Sequence, residues 1–564
     1  MIFNLFPKPQ VKVKSGKLNP VVLLVLDGWG IAPDSPGNAI SLANPLNYNS
    51  YLANYPHAEL LASGESVGLP AGEVGNTEVG HLNLGAGRII LQDLPRINKA
   101  IEEGSFFENT AFYHAAFHAN KNNSKLHLMG LLSSGNVHSS SKHLYALLEF
   151  LKKTNTKNVY LHLFTDGRDA PPQEAESIFQ KLEEYLKVNG IGQIATVAGR
   201  YYAMDRDKRW DRTEKAYNAM VKGEGDQAES AVAAIHQSYT KGITDEFIVP
   251  TVVNKNGLIG NNDAVIFFNY RIDRPRQLTS VFVVKDFQKS NLSWEFDPYT
   301  VKYDQKHTKD NEKVLDKDPF ARGIPLQNLF FVTMTEYQKS LPVSDIAYPP
   351  EEVADCLSVV LSRNSVEQMH MSESEKERFV TYYFDGLREE RAPLENTLIV
   401  PSPKVATYDK KPEMSVRELA EEFKNILNQD KYKFIVMNIA NPDMVAHTGK
   451  IEPTIRAIKA VDLALKEIVD GVLACNGTIL VTADHGNAEE LITYPTNAYF
   501  FTSNSGTPNT DHSTNPVPIL IINKSLQKSN KQIPNGILAD IAPTILTLLG
   551  IQIPPVMSGQ NLLS

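Results

Sequence analysis

The sequence predicts an α/β protein of two α/β domains, one inserted into the other. Three observations predict it. Short β-branched runs alternate with amphipathic helical stretches from residue 20 to the end, the pattern of mostly parallel sheets. Several runs end directly on polar residues, and in open α/β sheets ligands sit beyond the carboxyl ends of strands. The polar residues differ by region: outer segments end in carboxylates and histidines, middle segments in arginines.

In chain order, residues 1–17 form an N-terminal arm with Lys8, Lys12, Lys14 and Lys17, read as solvated. The outer domain takes residues 18–91 and 338–564, and the inserted domain 92–337. Residues 21–26 run into Asp27, 433–439 precede Asp443, and 478–483 run into Asp484 and His485. In the insert, 125–132 lead to SSGNVHS, 159–164 to TDGRD, 193–197 to AGRYYAMDRD and 264–268 to NYRIDR. Helices are expected over 142–153, 172–187, 415–427 and 452–472. The last carries Ile455, Ile458, Val461, Leu465 and Ile468 at helical spacing, a core-packing stripe. Residues 291–322 are charged and poor in apolar groups, and read as a surface insertion.

A chain of 564 residues has room for two substantial domains, and 42% hydrophobic with 21% charged residues is ordinary for a soluble globular protein. A net charge of -9 argues against a general nucleic-acid binder but leaves room for a local anion pocket. Cys356 and Cys475 form no CxxC, so a disulfide framework is not expected and a cytoplasmic, reducing compartment fits. No run approaches membrane-spanning length.

Asp27, Asp443, His447, Asp484, His485 and His512 are candidate metal ligands. Alone, each has an ordinary reading as a helix cap, turn or loop residue. Jointly they are several Asp and His groups, most just past an apolar run, in separated segments. Carboxylates with imidazoles suit manganese, zinc or iron better than magnesium alone. Two such ions would clamp the entering and leaving oxygens of a phosphoryl displacement. In VGNTEVGHLNLGAGR, residues 74–88, Gly75, Gly80, Gly85 and Gly87 allow a sharply turned backbone around Thr77. Its hydroxyl is either a nucleophile beside a metal ion or the cap of a helix starting at Glu78, and both roles are compatible. Arg168, Arg200, Arg206, Arg271 and Arg274 follow the middle runs, and their planar forks suit phosphate and carboxylate.

The motifs LDGWG with Asn38-Ala39-Ile40, GNTEVGHLNLGAGR, NPDMVAHTG, TADHGNAEE and TDHSTNPVP resemble the outer-domain signatures of cofactor-independent phosphoglycerate mutases, members of the alkaline phosphatase superfamily. SSGNVHS, TDGRDAPP, GRYYAMDRDKRWDR and FNYRIDRPRQL resemble that family's inserted phosphotransferase domain, in the same order. The resemblance implies an alkaline-phosphatase-like metal domain. One ion would be held by Asp443, His447 and His512, the other by Asp27, Asp484, His485 and the Thr77 hydroxyl. The family's nucleophile is normally serine, in GNSEVGH, and here it is Thr77. Also implied are substrate contacts from His138 and Asp169, with Asp169 handling protons, and Lys376 near the transferred phosphoryl group.

The implied reaction interconverts 3-phosphoglycerate and 2-phosphoglycerate in glycolysis and gluconeogenesis, through a phosphoenzyme. Two divalent ions are implied, manganese first with magnesium, cobalt or zinc as alternatives, and no bisphosphoglycerate. The expected partner is the small-molecule substrate, without nucleic acid or membrane, for a monomer. Domain closure is expected to exclude water, with hinges near 90–93 and 335–342. Rival readings are another phosphomutase or phosphatase on the same metal core, or a metal-stabilised binding protein that has lost catalysis.

Overall fold

A computed structural model describes residues 19–289, 319–493, 506–529 and 531–564. The N-terminal arm expected at 1–17 and residues 291–318 of the charged insertion lie outside them. The chain divides into two compact units, Met1–Leu91 with Glu351–Ser564, and Gln92–Pro350.

The first unit is built on an eight-stranded sheet, in the order Glu395–Val400, Gln368–Glu373, Phe434–Ile439, Val21–Leu26, Thr478–Thr482, Val517–Ile522, His57–Leu61 and Gly536–Ile537. The first five are mutually parallel, so their carboxyl ends share one edge. Val517–Ile522 is antiparallel to Thr478–Thr482, which brings its leading segment, including His512, to that same edge. All six residues of Val21–Leu26 are buried, as a central parallel strand requires. The helix Ile451–Ala474 lays Ile458, Val461, Leu465 and Ile468 into this unit's core.

The second unit has its own eight-stranded sheet, ordered Asp345–Tyr348, Phe330–Thr335, Ala264–Phe267, Leu126–Leu131, Val159–Thr165, Gln193–Gly199, Thr251–Val252 and Asp226–Gln227. Its first six strands are parallel. Alternate residues feed two cores, Leu126 and Leu128 one, Met129 and Leu131 the other, so both faces are covered. This unit runs to Pro350, past the boundary expected at 337, because Asp345–Tyr348 pairs with Phe330–Thr335. The chain therefore returns at Pro350–Glu351, beyond the hinge expected at 335–342. Arg322, expected on a surface insertion, is buried and donates to the Lys285 carbonyl at 2.9 Å. Three expected helices appear within two residues of their predicted bounds, as Ser141–Lys153, Val416–Leu427 and Ile451–Ala474; the fourth starts later, as Ala175–Asn189. Among the described residues no helix is long and apolar enough to cross a membrane.

Candidate active site

In the first unit the shared sheet edge gathers Asp27, Thr77, Lys376, Asp443, His447, Asp484, His485 and His512. Asp27 follows its strand directly, Asp443 sits in the first turn of Asn441–Ala446, and Asp484 and His485 follow Thr478–Thr482. Lys376 closes the short turn Ser374–Lys376 after Gln368–Glu373. Thr77 is the first residue of the helix Thr77–Ala86, whose cap is Asn76, its Oδ1 accepting from the Val79 amide at 3.0 Å. The cap expected at Thr77 is thus one residue earlier, and the Thr77 hydroxyl faces the cluster instead. Its Oγ1 lies 3.1 Å from Lys376 Nζ and 3.0 Å from His485 Nε2, and the residue is 4% exposed. Gly80 is there for closeness and not for a sharp turn: a Cβ on it would meet the Asp484 carbonyl oxygen at 2.5 Å.

The donor set fits divalent cations. Nδ1–H of His447 donates to the Thr510 carbonyl at 2.9 Å, that of His512 to Gly75 at 2.7 Å, and that of His485 to Gly486 at 3.2 Å. These carbonyls set the tautomer, leaving each Nε2 lone pair directed inward. His447 Nε2 and His512 Nε2 are 3.3 Å apart, and both approach Asp443 Oδ1, at 3.2 and 3.3 Å. Lone pairs facing each other and a carboxylate need a cation between them. Asp443, His447 and His512 form one group able to hold an ion. A second group in this cluster is Asp27, Asp443 and His485, beside the expected ligand Asp484. Asp484 remains alongside, its Oδ2 3.6 Å from His485 Nε2 and buried without a hydrogen bond.

Electrostatics agree. Burial acts to lower the His485 imidazole, but Asp484 and Asp27 outweigh it and push it up to about 9, so a proton competes with a cation for its Nε2 in this anionic cluster. Burial would raise Asp443, yet His447 and Lys376 hold it well below the carboxylate range. Burial opposes the charge on Lys376, and Asp27 and Asp443, at 2.9 and 2.8 Å, keep it an ammonium.

Several groups in and around this cluster escape sequence reasoning. Asn438 Nδ2 donates to Asp27 Oδ2 at 2.7 Å and to His81 Nε2 at 3.1 Å. Asn487 Nδ2 donates to Asp443 Oδ1 at 2.7 Å. The available signal for Asn438 was a lone polar residue inside an apolar strand. Glu373, at the end of its strand, accepts from the Ser415 amide at 2.9 Å while its Oε2 is buried without a partner. Burial pushes this carboxyl up to about 7. Its folded-state value is raised, so its stabilisation is complete below the usual glutamate range and is lost as pH rises through about 7. Glu373→Gln should match the parent in stability at pH 4 and exceed it at pH 8, by on the order of 3 kcal/mol. Thermal melts of both proteins across that range check this; parallel curves at every pH would refute it.

In the second unit the strand ends gather the arginines. Arg200 Nη1 meets Asp166 Oδ1 at 2.6 Å, and Nη2 meets His138 Nε2 at 3.0 Å. His138 Nε2 is 3.4 Å from Asp169 Oδ2. Arg206 and Arg271 both reach Asp273, at 2.8 and 3.1 Å. Arg274 donates to the Met204 carbonyl at 2.9 Å. Arg168 Nη1 lies 3.6 Å from Glu246 Oε1, and its side chain is 44% exposed. Burial holds His138 well below its usual range, Asp273 opposing and Arg200 adding to the shift, so it is neutral. Asp166 and Asp273 are further groups that sequence reasoning passed over, although each stands within a quoted motif, TDGRD and NYRIDR. They are the buried counter-charges that let the arginines converge.

A family model described as BPG-independent PGAM N-terminus matches residues 97–339. A 2,3-bisphosphoglycerate-independent phosphoglycerate mutase of Clostridium perfringens is 47% identical over 552 residues, covering 97% of this chain and 99% of that protein. One from Chloroflexus aurantiacus is 46% identical over 551 residues, covering 96% and 98%. Among solved structures, Leishmania mexicana phosphoglycerate mutase at low cobalt concentration matches with a TM-score of 0.59 and 28% identity, over 97% of this chain and 98% of that one.

Proposed function

This chain belongs to the 2,3-bisphosphoglycerate-independent phosphoglycerate mutases, and from that premise we propose that it interconverts 3-phosphoglycerate and 2-phosphoglycerate through a phosphoryl group carried on Thr77. The observation that supports it most is the Thr77 hydroxyl, buried between Lys376 and His485 amid a donor set that fits two cations. When bound, two divalent ions held by Asp443, His447 and His512, and by Asp27, Asp484, His485 and Thr77, supply positive charge that eases loss of the Thr77 proton and offsets that of the phosphoryl oxygens. Manganese is the proposed ion because the set mixes carboxylates with imidazoles.

Thr77 Oγ1, entering as the alkoxide, attacks the phosphorus of 3-phosphoglycerate and the bond to the 3-oxygen breaks. The Asp169 carboxylate, paired with Arg200, takes the proton of the 2-hydroxyl and passes it to the 3-oxygen. The 2-oxygen then attacks the same phosphorus, the bond to Oγ1 breaks, and Oγ1 leaves as the alkoxide it was. No water is consumed, and the burial of Thr77 limits the hydrolysis that would divert the phosphoenzyme. Lys376, 3.1 Å from Oγ1, stabilises negative charge on that oxygen and then on the phosphoryl group. Arg168, Arg200, Arg206, Arg271 and Arg274 hold the carboxylate and phosphate of the substrate, and neutral His138 offers a hydrogen bond to it. The proposed working state is a monomer. Free Cys356 and Cys475 suit the cytoplasm.

Purified protein with manganese, 3-phosphoglycerate and no bisphosphoglycerate should show 2-phosphoglycerate growing in by phosphorus NMR. Chelation, verified by elemental analysis, should abolish the conversion and added manganese restore it. Release of inorganic phosphate alone, or turnover of a pentose phosphate in its place, would move the enzyme to a sister activity; full activity in verified metal-free protein would remove the mechanism.

A further inference from the structure

Lys376 sits at the start of an unusual stretch. Between the strands Gln368–Glu373 and Glu395–Val400 the chain forms a π-helical turn, Phe379–Tyr383, in which the Phe384 amide reaches back to the Phe379 carbonyl at 3.1 Å. Such turns are rare and hold only where surrounding structure fixes them. Two contacts tie this one to the phosphoryl-transfer cluster. The Phe379 ring lies 5.2 Å from Lys376 Nζ and 6.0 Å from the His81 ring. The Phe384 carbonyl abuts Gly85 on the helix Thr77–Ala86, where a Cβ would stand 1.9 Å from that oxygen.

The anchor beneath the turn is His370. It is wholly buried on the strand Gln368–Glu373, and its Nδ1–H donates to the Val380 carbonyl at 2.6 Å. Its Nε2 lies 3.2 Å from Gln368 Oε1, and its ring packs edge-on against Phe384 at 5.5 Å. Behind it stand the carboxyls of Asp385 and Glu395, with Asp385 Oδ1 3.9 Å from Nδ1. An ion is a poor occupant of this triad, because the nitrogen nearest the carboxyls already carries a hydrogen directed at a carbonyl.

We propose that His370 is a positioning residue for Lys376: its hydrogen bond to Val380 pins the π-turn whose Phe379 ring seats the Lys376 ammonium beside Thr77. The inference rests on the mutase reading for its kinetic consequence, though not for its structural one. His370→Leu keeps a buried side chain of similar bulk but removes the donor. His370→Asn restores a donor near the position of Nδ1.

Three readouts test it on the metal-loaded enzyme. With 3-phosphoglycerate, His370→Leu should lower kcat by about 100-fold, the loss expected for a misplacement near 1 Å. KM should stay within about twofold, since the arginines are untouched, and His370→Asn should recover most of kcat. Hydrogen exchange of residues 379–387 should quicken in His370→Leu and return toward the parent rate in His370→Asn, at unchanged metal content. Parent-like kcat in His370→Leu, equal losses in both variants, or exchange unchanged across the turn would each overturn the inference. If the parent itself shows no mutase turnover, the functional reading fails, and exchange alone then decides whether His370 pins the turn. Should His370→Leu not fold, an Asn variant with parent exchange and parent kcat supports the donor role, and one that has lost both refutes it.

Discussion

Thr77→Ala is expected to lose mutase turnover by about 10⁴-fold or more, because no oxygen remains to carry the phosphoryl group between the two glycerate positions. The geometry also forecasts what the substitution leaves intact. The helix Thr77–Ala86 is capped by Asn76, so the alanine variant should not suffer the roughly 1 kcal/mol loss of a removed cap, and its melting temperature should stay near the parent's. Asp27, Asp443, His447, Asp484, His485 and His512 remain, so most metal should remain too. Thr77→Ser keeps the hydroxyl and frees χ1 by deleting a methyl, and should retain activity or exceed the parent. Intact mass of acid-quenched parent enzyme, with peptide mapping, should place one phosphoryl group on Thr77. An active alanine variant, or phosphate found only elsewhere, would mean that another oxygen is the nucleophile.

That expectation depends on one residue of register that the sequence leaves open. Asn76 and Thr77 are both good helix caps, and a string of glycines nearby does not choose between them. The choice is tertiary: Gly80 must lie against the Asp484 carbonyl, which fixes the helix and turns Thr77 inward. The acidic and imidazole groups were legible for the opposite reason. Most follow an apolar run, and parallel strand ends share an edge by the rule of the fold. Asn438 was not legible because its partner Asp27 is 411 residues away and a strand interior gives no sign of which neighbour a polar side chain will meet. Lys376 and Asp169 came only through resemblance; nothing in SESEKERF itself marks one lysine. The late return to the first unit was hidden because Asp345–Tyr348 is a four-residue strand without a flanking helical pattern.

Arg274→Ala is expected to lower kcat/KM by about 10² to 10³-fold while leaving metal content and fold unharmed. Arg274 is crowded by its own kind: burial, then Arg200 and Arg206, push its guanidinium down to about 10, with Asp273 opposing. A cation held among cations is stabilised by an anion, and phosphoglycerate brings one at each end. Among the described residues, the Met204 carbonyl is the one acceptor its donors reach. Removing a charge-assisted contact to a buried phosphate or carboxylate costs about 2–5 kcal/mol. The same crowding gives the opposite sign for stability, since truncation relieves repulsion from Arg200 and Arg206. The variant should therefore melt at or above the parent temperature when substrate is absent, and gain less than the parent when saturating 3-phosphoglycerate is added. Steady-state kinetics, elemental analysis and melts with and without substrate measure the three effects together. Near-normal turnover, or a melting temperature lowered in the absence of substrate, would show that Arg274 serves the fold and not the anion.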